Sequence, residues 1–139
     1  MSSEQDRIIA ARQKERDTLI ANEIFVIGVL QAVSGGSIVA GLAQYQPIYS
    51  LVGKFPFLAF LTLMTLALAC AVLAAYWKHQ YKLFDIKWLI RMESNLPEEA
   101  LRLRVLTDLY LNLMRWAMLI SVSSIAISLF GLIIAFWSH

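Results

Sequence analysis

The sequence predicts an all-α integral membrane protein with three long transmembrane helices. The composition is 59% hydrophobic and only 16% charged, whereas a soluble domain carries about 25% charged residues. Three stretches lack any charged side chain and reach the length of about 20 residues that a membrane-spanning helix needs: residues 24–45, 55–77 and 116–137. We assign the transmembrane helices TM1, TM2 and TM3 to residues 24–45, 57–77 and 111–137, within a single membrane domain covering residues 1–139.

The first element is a cytoplasmic N-terminal helix over residues 1–22. Residues 3–22 contain no Pro or Gly and are rich in Ala, Arg, Glu, Gln and Lys, which are strong helix formers. This helix is predicted to run into TM1 without a break, either as a solvated helix or as a stalk packed on other cytoplasmic helices. The apolar run of TM1 exceeds the roughly 7–15 residues of a signal-peptide core, which argues against cleavage.

An outer loop is predicted over residues 46–56, where Pro47 and Pro56 are expected to end the flanking helices. TM2 follows. After it, large apolar side chains recur at helical spacing, which predicts an amphipathic helix that either continues TM2 or turns along the inner leaflet. These side chains are Tyr81, Phe84, Trp88 and Met92.

A cytoplasmic helical hairpin is predicted over residues 78–110, linking TM2 to TM3. Its turn lies at residues 94–97, where Asn95 is a candidate helix cap, Glu98 follows three residues later and Pro97 suits a first helical turn. The helix that begins there meets no Gly or Pro before Gly131. At 1.5 Å per residue, residues 96–137 would extend roughly 60 Å, about twice the thickness of the hydrocarbon core.

Lys and Arg side chains concentrate on one side of the predicted membrane, and this sets the orientation. They occur in residues 7–16 and 78–104, whereas the outer loop holds only Lys54 and the C-terminal tail holds none. The N-terminus is therefore predicted to be cytoplasmic and the C-terminus to lie outside. Tyr76, Trp77 and Trp116 match the inner membrane boundary, and we expect a bacterial inner membrane.

Small residues form a seam along TM3 with a period of 3.5 residues. Small residues mark helix contacts in membranes, and this period predicts left-handed packing. The sequence leaves open whether the seam meets the same chain or a second copy. A weaker small-residue motif lies in TM2 at Ala67, Ala71 and Ala75. The TM3 seam comprises Ala117, Ser121, Ser124, Ser128, Gly131 and Ala135.

A polar stripe runs along TM1 through Glu23, Gln31 and Ser34. One interpretation is a pore lining, with Glu23 at the cytoplasmic mouth of an aqueous path. The other pairs Glu23 with Arg115 or a lipid headgroup and bonds Gln31 between helices. Close by, the glycines at positions 35 and 36 favour a kink or a close approach of another helix.

Sequence motifs for catalysis are absent. No nucleotide-binding loop, zinc-protease motif or nucleophile elbow occurs, and the single cysteine, Cys70, excludes an intramolecular disulfide. The two histidines lack neighbouring ligands at metal-binding spacing. A net charge of +2 is too small to suggest a nucleic-acid partner. We therefore expect no enzymatic activity, no cofactor and no metal.

The remaining features predict a non-enzymatic membrane protein, and three functions fit them. The first is a homo-oligomeric channel or pore-like assembly, suggested by the polar stripe and the serine seam. The second is an accessory or assembly subunit of a larger membrane complex, in which the same seams dock a partner. The third is a membrane-disrupting effector. The expected partners are the lipid bilayer and either further copies of the chain or another membrane subunit.

Overall fold

The computed structural model describes residues 2–93 and 97–138, and within them every side chain except those at 2–6, 8, 9, 12, 13, 16, 89, 91–93 and 97. The described part is helical, with α1 at Ser2–Ala43, α2 at Tyr45–Val52, α3 at Lys54–Glu93 and α4 at Pro97–Trp137. Three of these helices are long and apolar enough to cross a membrane. The prediction of an all-α fold with three helices long and apolar enough to span a membrane is therefore confirmed for the described residues.

α1 is one uninterrupted helix, as expected for a segment that is rich in helix formers up to the start of TM1. The described side chains among residues 7–19 are exposed. The helix also passes through the glycines at positions 35 and 36 without a break in its helical assignment. Asn95, the predicted helix cap, lies outside the described residues, and α4 begins at Pro97.

The segment 46–56, predicted as a loop, is mostly helical. α2 covers residues 46–52 of it, and α3 begins at Lys54. Pro47 and Pro56 do not end helices. Each is the third residue of a helix, α2 and α3 respectively, where a missing N–H has no intrahelical partner to lose. The apolar side chains of Ile48, Tyr49 and Val52 fall on one face of α2 and pack with Phe57 over the end of α3 and α4.

A glycine makes the turn from α2 to α3. Gly53 has φ 81° and ψ 173°, a combination that is essentially open only to glycine. Its N–H donates to the Tyr49 carbonyl oxygen at 3.0 Å and closes α2. The turn places Phe57, 1% exposed, edge-on to the Tyr45 ring with a centroid distance of 5.3 Å.

α3 is the central helix, and α4 packs along it through a repeat of 3.5 residues. The buried side chains of α3 follow alternating steps of three and four, which is the pattern of a helix that keeps one face against a partner. These side chains are Phe57, Phe60, Met64, Ala67, Ala71, Ala74 and Lys78. The predicted TM2 motif is thus correct at Ala67 and Ala71, but the next contact position is Ala74, with Ala75 only partly buried.

The TM3 seam faces α3 of the same chain. Ala117, Ser121, Ser124, Ser128 and Ala135 are buried, each 8% exposed or less. Gly131 departs from the predicted seam: it is exposed, and a Cβ placed on it would meet no atom within 4 Å. At this level the contact moves to the neighbouring Leu132, which packs against the cluster of Val52, Phe57 and Ala135.

Two serines of the seam bond across to backbone carbonyls of α3. The Ser121 hydroxyl donates to the Ala67 carbonyl oxygen at 2.9 Å, and the Ser128 hydroxyl donates to that of Phe60 at 3.4 Å. The donor advances along α4 while the acceptor retreats along α3, so the two helices are antiparallel. A backbone carbonyl has two lone pairs, so each of these carbonyls can accept a serine hydroxyl in addition to its intrahelical N–H.

The α3–α4 pair extends beyond the predicted membrane-spanning segments. α3 continues as a single helix to Glu93, which answers the question whether TM2 continues or turns. There the Phe84 ring stacks on the Tyr110 ring with centroids 5.4 Å apart and planes 9° from parallel. The ammonium of Lys87 lies 5.4 Å from the centroid of the Phe84 ring, and Ala100 and Thr107 are buried.

Ser121→Leu should destabilise the fold of the isolated chain by about 2 kcal/mol or more, because it overpacks a buried contact and removes a hydrogen bond to α3. The matched control is Ser123→Leu, since Ser123 is exposed on the opposite side of α4. Thermal unfolding in detergent, followed by tryptophan fluorescence, measures both. Equal midpoints for the two variants would contradict the assignment of the seam to α3.

Candidate functional site at the junction of α1 and α3

A partly buried ion pair joins α1 to α3. The Lys78 ammonium lies 3.1 Å from Glu23 Oε2 and donates to the Ile20 carbonyl oxygen at 2.9 Å. The Lys78 side chain is 7% exposed and that of Glu23 is 29% exposed. One lysine therefore holds two groups of α1 that lie one helical turn apart.

The helical repeat of α3 places the lysine at this junction. Lys78 follows Ala71 by seven residues and Ala74 by four, so it occupies the next position of the buried face. One turn into the apolar region, Ile27 of α1 and Ala74 of α3 share a cluster with Met114 of α4. The ammonium thus sits at the edge of an apolar core. A buried charge in such surroundings needs its counterion and its hydrogen bonds to be tolerated.

The structure places the predicted polar stripe of α1 against α3. Glu23 pairs with Lys78, whereas Arg115, the partner considered from sequence, is exposed. Ser34 is fully buried, and its hydroxyl donates within α1 to the Leu30 carbonyl oxygen at 2.6 Å. Gln31 is half-buried. This arrangement supports the packing interpretation of the stripe, because Ser34 has no open space in front of it.

Among the glycines of α1, Gly41 has the tightest contact with α3. A Cβ placed there would lie 3.0 Å from Phe60 Cε1, which is tighter than ordinary van der Waals contact. At Gly35 the nearest atom, Leu68 Cδ1, would be 4.0 Å away, and at Gly36 nothing lies within 4 Å. The close approach expected at positions 35 and 36 therefore falls one and a half turns later. These contacts run in opposite directions along the two helices, so α1 and α3 are antiparallel.

Sequence reasoning missed Lys78 and Gly41 as contact residues. Lys78 was counted only among the basic side chains that set the membrane orientation. Its signal was the period of 3.5 that begins at Phe57, because extending that pattern past the last apolar residue reaches the lysine. The sequence gives no comparable signal at Gly41. Its close contact depends on the position of the Phe60 ring on α3, which the sequence does not specify.

The fold has three helices long and apolar enough to cross a membrane, and the central one, α3, binds its two long neighbours differently, with serine hydrogen bonds to α4 and an ion pair to α1. No protein-family model, curated protein or solved structure matches the chain. The argument for a function therefore starts from the surfaces that the three helices leave uncovered.

Gly41→Leu should loosen α1 from α3, because the new side chain must displace the buried Phe60 ring; we expect a loss of about 2 kcal/mol in the free energy of unfolding. Gly131→Leu is the matched control, since it adds the same side chain to a glycine where no atom lies within 4 Å, and we expect a change below about 0.5 kcal/mol. Thermal unfolding of the detergent-solubilised chain distinguishes them. A stability loss shared equally by both variants would disprove the contact at Gly41.

Proposed function

We propose that this chain is a non-enzymatic membrane protein that assembles as a homo-oligomer with a channel- or pore-like arrangement. The observation that carries the proposal is the outward face of α1. Small residues follow one another there at intervals of four, and all of them are exposed in the single chain. The outward face comprises Gly28, Ala32, Gly36 and Ala40.

The outward face suits another helix better than it suits lipid. A Cβ on Gly28 or Gly36 would meet nothing within 4 Å, so the backbone of α1 is open to close approach. Small residues at a spacing of four are the pattern by which membrane helices pack closely, while lipid tails are covered best by large apolar side chains. α1 is also the least hydropathic of the three long helices.

Charge on the N-terminal part of α1 favours a second copy as the occupant. Arg7 and Lys14 are exposed beside the acidic Glu15 and Asp17, so this stretch carries both signs. In parallel copies around a symmetry axis the same residues lie at the same level, so opposite charges can pair diagonally, for example Lys14 of one copy with Asp17 of the next. A partner subunit of another sequence would need no such balance.

The membrane orientation belongs to the same proposal. The basic side chains of residues 7–16 and 78–104 would lie in the cytoplasm, and α2 would lie at the outer surface. In an assembly of several copies, a hydrated path would run between protomers beside α1. It would not follow Glu23 and Ser34, which face α3 within each protomer.

Native mass spectrometry of the nanodisc-purified protein tests the assembly. We expect a discrete multiple of the 15.7 kDa chain, and we expect Gly36→Leu to convert it to monomers while leaving the thermal stability of the protomer unchanged. Gly131→Leu is the control, because Gly131 is an exposed glycine on α4, away from the outward face of α1. A wild-type monomer would instead favour the accessory-subunit function, in which another protein covers α1.

Planar-bilayer recording tests the channel. We expect the multimer to show discrete conductance steps that Gly36→Leu abolishes and Gly131→Leu preserves. A defined multimer without conductance would keep the assembly and remove the channel from the proposal.

A further inference from the structure

α1 carries two faces that are both suited to close helix packing. The face on α3 is formed by Ile27, Leu30, Ser34 and Gly41, which are all buried. The outward face defined above has small residues at a regular spacing of four, which is at least as favourable for a close contact. Because apolar side chains gain little by leaving lipid for another helix, packing alone discriminates weakly between the two faces.

The contacts of Lys78 with α1 discriminate strongly between the two faces of α1, because the two groups that Lys78 binds lie on the same face of that helix. Glu23 and the carbonyl of Ile20 are one turn apart and point toward α3. Turning α1 about its axis until the outward face meets α3 would carry Glu23 away. The ammonium would then remain at the edge of an apolar core without its counterion, which is strongly unfavourable.

We propose that Lys78 is a positioning residue that selects which face of α1 packs on α3. It holds α1 through Glu23 and the Ile20 carbonyl, and so keeps the glycine-rich outward face free. This selection occurs within one chain and stands whether or not the chain assembles. Its consequence for the oligomer, namely that each protomer presents the same face to the next, rests on the proposed function.

Two adjacent glycines provide a matched probe of the rotation of α1. In a Cys70→Ala chain, Leu68→Cys is combined with either Gly35→Cys or Gly36→Cys. Gly35 faces Leu68, with 4.0 Å between its Cβ position and Leu68 Cδ1, whereas Gly36 meets no atom within 4 Å. A short thiol crosslinker should therefore join the 35–68 pair and leave the 36–68 pair unreacted. Only intrachain products, identified at monomer mass, are counted.

Removing the contacts that Lys78 makes with α1 should weaken this preference. Lys78→Met replaces the lysine by an apolar side chain of similar length. We expect the yield of the 35–68 product relative to the 36–68 product to fall on the order of tenfold. Glu23→Gln tests the same contacts from α1, outside the α3–α4 contact, and should lower the ratio in the same direction. The double variant Glu23→Lys with Lys78→Glu restores opposite charges but not the hydrogen bond to the Ile20 carbonyl, so it should recover part of the native preference.

A third cysteine pair separates positioning from general stability. Ala74 and Met114 are both fully buried between α3 and α4, and crosslinking of Ala74→Cys with Met114→Cys should be the same with and without Lys78→Met. An unchanged 35–68 to 36–68 ratio in both single variants would overturn the proposal. So would a parallel loss of the 74–114 product, or a double variant that recovers nothing. A wild-type monomer in mass spectrometry would refute the assembly but not this selection.

Discussion

Close contact with the backbone of α3 is the constraint on which the rest of the structure depends. Helices in lipid gain little from hiding apolar side chains against one another, so they must approach closely or bond directly. α3 allows this with Ala67, Ala71 and Ala74, each fully buried. α4 contributes serines, whose hydroxyls donate hydrogen bonds to carbonyl oxygens of α3. Close approach of the helices at Ala67 and Ala71 is consistent with the 2.9 Å bond from Ser121 to the Ala67 carbonyl oxygen.

α4 and α1 pack against α3 through different kinds of interaction. Buried residues of α4 recur at intervals of seven from Ala100 to Ala135, so contacts along the whole length of α4 fix its position on α3. α1 touches α3 through fewer buried side chains, and its strongest directed contact is the pair of Glu23 with Lys78. A hydrophobic pair in that place would hold the helices together about as well. It would not, however, fix the rotation of α1, since apolar contacts have little directionality.

Patterns within one helix could be predicted from the sequence, and contacts between helices could not. Runs without charge located the three long helices, and the period of 3.5 found most of the buried face of α4. The period does not name the neighbour, so the seam remained open between the same chain and a second copy until α3 was placed. Lys78 and Glu23 lie 55 residues apart, and only the register of two antiparallel helices brings them together. α2 could not be predicted from Pro47 and Pro56, because a proline that ends one helix and a proline in the first turn of the next look the same in the sequence.

The α3–α4 pair is long relative to the bilayer, and this gives it mechanical leverage. At 1.5 Å per residue each helix measures about 60 Å, against a hydrocarbon core of about 30 Å. The stacked rings of Phe84 and Tyr110 brace the part that projects beyond the predicted spans. If the apolar segments cross a bilayer, about half of the length of the pair projects beyond the hydrocarbon core, so a sideways displacement of the projecting end at Ala100 would tilt the opposite end at Ala135 the other way.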